Sequence, residues 1–372
     1  MAASQRFTAL DVFRGLTVCF MIIVNTPGNG ITTFSPLLHA KWHGFTPTDL
    51  VFPSFLFAVG NAMSFVMPKW NTLPAGTVIA KILKRTFLIF LLGYLMYWFP
   101  FVKLIAGEWT FAPFNQTRVF GVLQRIALCY GIAAAMLYFL KPKLTIIISI
   151  ALLLLYWILL LSFGEGDPYG INSNAGIFLD KWLIGDAHLY HGEGIAFDPE
   201  GLLSTLPAIS NVVGGFVVGS FIQKHGKTYE SLTKLLLSGA CLIFAAWCWD
   251  HFFPINKKLW SSSFVFMTVG LDCVIIAAII YVIDFLHKTK WTYFFEVFGR
   301  NPLFIYLLSE VGVTILYVFS IRPKMSVYKW IYENIYANAG AYFGSFLFAV
   351  SVMLICWLAG YFMDIKKIYV RV

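Results

Sequence analysis

The sequence predicts an all-α protein, a polytopic membrane bundle of about ten transmembrane helices. Hydrophobic residues make up 59% of the 372 residues and charged residues only 12%, which is too apolar for a soluble protein of this length. Apolar runs of roughly 18 to 25 residues recur along the chain, each long enough to span a hydrocarbon core of about 30 Å. Ionisable side chains interrupt some of these runs, and their cost in a bilayer indicates a functional site.

The apolar runs give the order of the expected helices, which are residues 9–27, 48–67, 82–99, 118–139, 143–163, 202–222, 232–252, 262–286, 299–319 and 342–363. The first run contains Asp11 and Arg14 and lacks a small-residue cleavage pattern. We therefore interpret it as a spanning helix and not as a removable signal peptide. Residues 1–372 are expected to form a single transmembrane domain, with the loops 28–47 and 164–201 contributing to its site.

Basic residues are more frequent in the loops on the side of the two termini than on the opposite side. Because basic loops are retained in the cytoplasm, we expect the N- and C-termini to be cytoplasmic. We attribute the formal net charge of +9 to the same bias, and to attraction between the basic loops and anionic lipids. Since these residues are spread over many short loops, no nucleic-acid partner is expected. The six cysteines show no metal-ligand pairing, and no metal is expected.

Polar residues are concentrated around the loop between the first two expected helices. Asn25 ends the first apolar run, His39 lies in the loop, and Asp49 begins the second run. A neutral imidazole can take a proton from an amine or accept an acyl group, and an amide such as Asn25 can orient it or donate to an oxyanion. Simpler interpretations stay open: a solvated surface histidine, and for Asp49 a helix-start residue capped by Thr46 and favoured by the helix dipole.

A second group of charged residues falls at the expected cytoplasmic ends of the helices. Arg14, Lys84, Arg85 and Arg300 belong to it. Because guanidinium pairs bidentately with phosphate, this group fits a phosphate-bearing ligand that enters from the cytosol. Two alternatives stay open: Lys84 and Arg85 snorkel to lipid headgroups, and Asp11 and Arg14, three residues apart on one helix face, neutralise each other.

Further polar residues within the expected helices are Gln124, Arg125, Asn211, Asp272, Asn301 and Glu310. Such residues normally face the bundle interior or a water-filled cavity. The loop 164–201 adds Asp198 and Glu200, and it also contains His188 and His191. This loop is expected to supply a lid or a polar rim for a substrate. The ligands that a metal site at its histidines would need are missing.

Several short motifs follow one another along the chain: Leu10-Asp11-Val12-Phe13-Arg14-Gly15, Val24-Asn25, His39-Ala40-Lys41-Trp42-His43-Gly44-Phe45-Thr46, Asp49-Leu50-Val51-Phe52-Pro53, Gly121-Val122-Leu123-Gln124-Arg125, Asp198-Pro199-Glu200-Gly201, Asn256-Lys257-Lys258-Leu259-Trp260-Ser261 and Gly299-Arg300-Asn301-Pro302. In this order they resemble the transmembrane acetyltransferases related to heparan-alpha-glucosaminide N-acetyltransferase, including bacterial inner-membrane relatives. Together the motifs cover the chain from end to end. The long lumenal domain of the animal enzyme has no counterpart, so we expect a compact bacterial version.

The resemblance implies transfer of acetyl from cytosolic acetyl-CoA to the amine of a glucosamine-type sugar on the extracytoplasmic side of a bacterial inner membrane. His39 falls on the family's active-site histidine and Asn25 on a polar residue close to it, whereas His43 matches no family histidine. The expected catalytic residues are His39, Asn25 and Asp49. The acetyl-CoA passage is expected to involve Asp11, Arg14, Arg85, Gln124, Arg125, Arg300 and Asn301, and the acceptor site Trp42, Glu200, Asn211 and Glu310.

Two other functions stay open at this point. A sugar transporter or permease fits the composition equally well, although the chain shows no convincing internal repeat and its polar loop suits chemistry better than gating. An O-acetyltransferase of an envelope glycan would use the same scaffold. The expected partners are acetyl-CoA as co-substrate, an amino-sugar or glycan acceptor and membrane lipids, and a homodimer is left open.

Overall fold

The fold is described from a computed structural model that covers residues 7–105, 108–323 and 325–370, so both extreme ends of the expected domain lie outside it. The helices of these ranges are α1 (Thr8–Asn25), α2 (Val51–Trp70), α3 (Ala75–Trp98), α4 (Val122–Phe139), α5 (Pro142–Phe163), α6 (Ala175–Ile184), α7 (Thr205–His225), α8 (Tyr229–Asp250), α9 (Ser262–Ile280), α10 (Thr292–Arg300), α11 (Pro302–Val318), α12 (Val327–Ile331) and α13 (Ala341–Ile365). Two short antiparallel hairpins join β1 (Val102–Ile105) to β2 (Glu108–Phe111) and β3 (Ser320–Arg322) to β4 (Met325–Ser326). The all-α prediction is confirmed.

Most helices are long and apolar enough to cross a membrane. Within the described ranges eight meet that description, and the bent pair α10 and α11 is a ninth if it is one span. The helix α3 has 24 residues, about 36 Å, and corresponds to the remaining expected span. It begins seven residues before the expected start at residue 82, because the helix extends in front of the apolar run through residues 75–81, which include Lys81. The prediction of a polytopic bundle is confirmed.

The expected span 299–319 is broken near its start. The helices α10 and α11 meet at an angle of 82°, and Asn301 between them has non-helical dihedral angles. Pro302 explains the break, because its ring excludes the helical conformation of the preceding residue, whereas its missing N–H is tolerated at the first position of α11. The corner places Arg300 and Asn301 at one end of the bundle.

The first and last described segments of the chain lie at that same end, which we call the termini end. The side-chain nitrogen of Asn301 donates to the carbonyl of Ile368 (3.0 Å), and its oxygen accepts from the amide of Val370 (2.9 Å). Arg14 of α1 borders the same cavity as Val370. The opposite end, called the loop end, carries the segments 26–50, 99–121, 164–204 and 251–261. All candidate catalytic residues lie on or beside these segments.

The helices α2 and α7 are in close contact because a glycine of each helix lies against the backbone of the other. A Cβ atom on Gly60 would lie 1.7 Å from the carbonyl oxygen of Val212, and one on Gly215 would lie 1.9 Å from that of Phe57. Between helices in a membrane the attraction comes largely from van der Waals packing, which small residues improve. This contact fixes the position of α2, the helix that begins directly after Asp49.

The Gly60→Ala substitution is expected to lower the free energy of unfolding by about 1–3 kcal/mol, because its methyl group would push the α7 backbone away. Thermal unfolding of the purified protein in detergent measures the effect. The matched control is Gly312→Ala in α11, where nothing lies within 4 Å of the added atom. This control should be neutral or stabilise by up to about 1 kcal/mol. Equal unfolding temperatures for Gly60→Ala and the wild type would contradict the close-contact account.

Candidate active site

The buried carboxylate of Asp49 closes the loop that precedes α2. Its Oδ2 accepts from the amide of Thr46 (2.9 Å), the hydroxyl of Thr46 (3.0 Å) and the amide of Ala40 (3.2 Å). The bond from the Thr46 amide, together with the bond that the Thr46 side chain accepts from the backbone amide of Asp49, forms a capping box at the turn Pro47–Leu50, which leads into α2. Asp49 is thus a helix-start residue, as one interpretation of the sequence has it. Its other oxygen remains available to a different partner.

That partner is His39. Its Nδ1 lies 2.7 Å from Oδ1 of Asp49, while the imidazole side chain is 40% exposed. Because a carboxylate only accepts hydrogen bonds, Nδ1 carries the proton and Nε2 presents its lone pair. A histidine oriented by a buried carboxylate, with its second nitrogen accessible, has the arrangement of a general base or nucleophile.

A lysine from the segment 251–261 lies on the other side of the imidazole. Nζ of Lys257 is 3.0 Å from Nε2 of His39 and 3.3 Å from Nδ1. The segment is held by the fully buried Asn256. Its side-chain Oδ1 accepts from the backbone amide of Leu259 (2.9 Å), and its own backbone amide donates to the hydroxyl of Ser261 (3.0 Å). Burial lowers the pKa of Lys257, although nearby carboxylates oppose the shift. The sequence motif that contains this lysine does not by itself indicate a role for it.

Arg118 ties the segment 99–121 to the loop 164–201. Its guanidinium makes two bonds with Asp198 (2.9 and 2.7 Å) and one with Glu200 (2.6 Å). It also lies over the rings of Tyr97 (4.8 Å) and Tyr190 (4.6 Å). Because the two carboxylates and the cation are largely buried, removal of any one leaves an uncompensated charge. Sequence reasoning missed Arg118, since it lies 80 residues from Asp198.

Glu200 connects this cluster to the imidazole. Burial acts to raise the pKa of Glu200, but the cations Arg118, Arg125 and Lys257 outweigh it, so that the pKa lies below its usual value. Lys257 in turn has both Glu200 and Asp49 within electrostatic range. The expected acceptor residue Glu200 is therefore an ionised carboxylate on the same polar surface as His39.

The side chain of Asn25 has Glu310 as its hydrogen-bond partner. The side-chain nitrogen of Asn25, at the end of α1, donates to Oε1 of Glu310 on α11 (3.2 Å). The polar partners of His39 among the described residues are Asp49 and Lys257. Glu310 and Glu200 both lie within electrostatic range of Tyr97 and Tyr306, so the Asn25–Glu310 pair borders the same polar region.

Trp42 and Asn211, the two remaining residues that the sequence predicts for the sugar-acceptor site, have hydrogen-bond partners within the protein. Nε1 of Trp42 donates to the carbonyl of Tyr169 (2.9 Å), and its ring meets Phe197 edge-on, which joins the loops 28–47 and 164–201. Asn211 is fully buried and its amide is satisfied by Trp260 (3.0 Å) and Thr268 (3.0 Å). Trp42 thus stands at the rim of the site, whereas Asn211 joins helices.

A cavity of about 390 Å³ runs along α2 towards the termini end. It is lined from Phe55 to Trp70, a distance of about 22 Å along the helix. Arg14, Arg85 and Arg300 line it together, as the sequence hypothesis of a shared basic site requires. Its walls are otherwise largely apolar.

Two of these arginines have carboxylate partners. Nη2 of Arg14 is 3.0 Å from Oδ1 of Asp11, the pairing that the sequence left open. Arg300 pairs with Glu296 (2.7 Å) and with Asp364 near the end of α13. These ion pairs hold the guanidinium groups in place at the cavity and reduce their net charge.

Arg85 is different. Its guanidinium lies 4.6 Å over the ring of Tyr130. Among the described residues, Arg85 forms no ion pair with a carboxylate. Its Nε is buried and has no hydrogen-bond partner among them. The neighbouring Lys84 is exposed, so snorkelling suits Lys84 and the cavity suits Arg85.

The remaining residues that the sequence predicts for the acetyl-CoA passage do not lie together. Both amide atoms of the fully buried Gln124 have no partner among the described residues, and Gln124 lies between the cavity-lining Leu123 and Ile126. Arg125 instead bonds the carbonyl of Gly201 (3.0 Å) and the hydroxyl of Ser204, at the loop end. Asn301 is occupied by the C-terminal residues, as described above. No group of three His, Cys, Asp or Glu side chains suitable for a metal occurs in the described part of the chain.

Comparison with known proteins finds sequence similarity to one family of acetyltransferases. Residues 6–173 match the family model described as heparan-alpha-glucosaminide N-acetyltransferase, catalytic. The protein of that name from Mus musculus is 28% identical over 91% of the chain, and the one from Homo sapiens is 26% identical over 91%. The chain is therefore similar to the heparan-alpha-glucosaminide N-acetyltransferase family. The chain spans 58% of the length of each of these two relatives.

Replacement of Arg118 by Met is expected to lower the free energy of unfolding by about 3–5 kcal/mol at neutral pH, because Asp198 and Glu200 lose their buried cation. The loss should shrink as the pH falls below the usual carboxyl pKa, since the two acids then become neutral. Thermal unfolding measured at several pH values tests both statements.

The control is Lys181→Met, which removes an exposed ion pair with Asp186 and should cost at most about 1 kcal/mol. If the Arg118→Met and Lys181→Met proteins unfold alike at neutral pH, the buried cluster does not stabilise the loop end.

Proposed function

We propose that this chain is a membrane N-acetyltransferase that moves acetyl from acetyl-CoA to the amine of a glucosamine-type sugar. The observation that carries the proposal is the position of His39, held between Asp49 and Lys257 at one end of α2 while an arginine-lined cavity follows the same helix to the other end. Names of family members support the reaction type. An activated acyl donor and an amine then meet at the imidazole.

The cavity suits acetyl-CoA, which supplies an activated acyl group on a long arm that ends in phosphates. Arg85 offers a guanidinium without a carboxylate partner among the described residues, and Arg14 and Arg300 lie on the same cavity. Gln124, whose amide atoms have no hydrogen-bond partner among the described residues, is buried behind the wall formed by Leu123 and Ile126. Phe55, at the loop-end limit of the cavity, is six residues from Asp49, or about 9 Å along the helix.

The chemistry at His39 follows from its tautomer. With its proton on Nδ1 held by Asp49, the imidazole uses Nε2 either to take a proton from the attacking amine or to accept the acetyl group first. A thioester is already activated, so that positioning within about 3–3.5 Å and removal of one proton are the main requirements.

The acceptor site follows from the acidic residues of the polar region. Glu200 and Glu310 attract the ammonium of an amino sugar, and the tyrosines and Trp42 offer hydroxyl and aromatic surface for the sugar ring. We assign the termini end to the cytosol and the loop end to the extracytoplasmic side of a bacterial inner membrane. Residues 1–372 then act as a single unit, with the loops 28–47 and 164–201 around the acceptor.

The His39→Ala protein is expected to fold and to lose transfer of acetyl from acetyl-CoA to glucosamine by about 10²–10⁴-fold, because no other group replaces the imidazole. Product analysis distinguishes an amide from the ester that an O-acetyltransferase would form. The control is His43→Ala in the same loop, where the histidine contacts Asn256 and not Asp49; it should retain activity. Full activity of His39→Ala would exclude His39 from the mechanism.

The Arg85→Ala protein is expected to raise the KM for acetyl-CoA at least about tenfold, because a charge-assisted bond to phosphate is worth about 1.5–3 kcal/mol. The KM for glucosamine should stay unchanged. Steady-state kinetics with each substrate varied in turn measure both values. Lys84→Ala, which removes the adjacent exposed cation, is the control and should leave both values as in the wild type. A rise only in the glucosamine KM would place the acceptor, and not the donor, in this cavity.

A further inference from the structure

We propose that Lys257 is a self-acetylation site: without an acceptor, the protein transfers acetyl from acetyl-CoA to Nζ of its own Lys257. The inference rests on the proposed acetyl transfer and adds a second acceptor, an amine that the chain itself supplies. It concerns a residue that lies at the reacting nitrogen of His39 and that needs no movement of the fold to reach it.

Geometry makes Lys257 an internal counterpart of the amine substrate. Its Nζ lies 3.0 Å from Nε2 of His39 and 3.3 Å from Nδ1. An acyl carbon bonded to Nε2, or approaching it, therefore comes within the ~3–3.5 Å of Nζ that characterises a near-attack arrangement. The position that an external amine must reach is one that this amine already occupies.

The adjacent lysine shows that the arrangement is specific. Nζ of Lys258 donates to the carbonyl of Lys41 (2.9 Å) and to Oε2 of Glu193 (2.6 Å), and it makes no contact with His39 in the described structure. Lys257 and Lys258 share the segment and its access to reagents. A difference between them in acetylation therefore reports the position of the imidazole and not the general reactivity of surface lysines.

The step balances without a further reactant. The neutral amine of Lys257 attacks the acyl carbon, a nitrogen–carbon bond forms, and the carbon–sulfur bond of the thioester breaks, either directly or after the acetyl has passed through Nε2. The imidazole takes the proton that Nζ loses, and the departing thiolate accepts a proton. One thioester and one amine become one amide and one thiol.

The surroundings supply the amine in its reactive form. Burial lowers the pKa of Lys257, which raises the fraction of neutral amine at a given pH, while Glu200 and Asp49 oppose that shift. An amino sugar bound at Nε2 must displace Nζ from its present position. Acceptor and Lys257 thus compete for the same acetyl group, and saturating acceptor is expected to protect the lysine.

The test uses the purified full chain in detergent, incubated with isotopically labelled acetyl-CoA with and without glucosamine, followed by digestion and mass spectrometry. Acetylation is expected at Lys257 in excess of Lys258 by at least about tenfold. It should fall with saturating glucosamine and disappear in His39→Ala. Lys258→Arg serves as the control variant and should acetylate Lys257 as the wild type does.

Each other outcome decides against the inference. Equal labelling of Lys257 and Lys258, or labelling of Lys257 that persists in His39→Ala, would identify ordinary chemical acetylation. An unlabelled Lys257 in a protein that acetylates glucosamine would overturn the self-acetylation and leave the proposed function intact. An unlabelled Lys257 in a protein that acetylates no glucosamine would overturn both.

Discussion

One buried carboxylate determines the candidate active site. Oδ2 of Asp49 closes the loop through the amides of Ala40 and Thr46, and Oδ1 holds Nδ1 of His39. The same side chain therefore begins a membrane helix, shapes the loop before it and fixes which imidazole nitrogen is accessible. A buried carboxylate is costly unless all its bonds are made. The orientation of His39 consequently depends on the loop that Asp49 closes.

The helix that starts at this carboxylate connects the rest of the molecule. Close contact between Gly60 and the α7 backbone sets where α2 lies, and the face from Phe55 to Trp70 lines the cavity that leads to Arg85. A displacement of α2 would move the imidazole and the cavity together. This arrangement holds the imidazole at the loop end and the arginine-lined cavity at the termini end at a constant separation.

The sequence predicted what depends on short distances along the chain. The helices followed from apolar runs, and Asp49 and His39 are only ten residues apart, so that a loop and a helix start suffice to bring them together. Arg14, Arg85 and Arg300 were grouped because helix ends on one side share a depth in the membrane. Lys257 and Arg118 were missed because they reach their partners across 218 and 80 residues, between irregular loops that no periodicity describes. The contact of Asn25 with Glu310 likewise joins two helices distant in sequence.

We propose that one cavity carries an acyl thioester from the basic termini end to His39. A structure with a non-hydrolysable acetyl-CoA analogue tests it most directly. The account predicts phosphates beside Arg85, an extended arm along α2 from Trp70 to Phe55, and an acyl carbon about 3–3.5 Å from Nε2 of His39. An analogue whose acyl end lies away from the imidazole, or whose phosphates bind at the loop end, would contradict it.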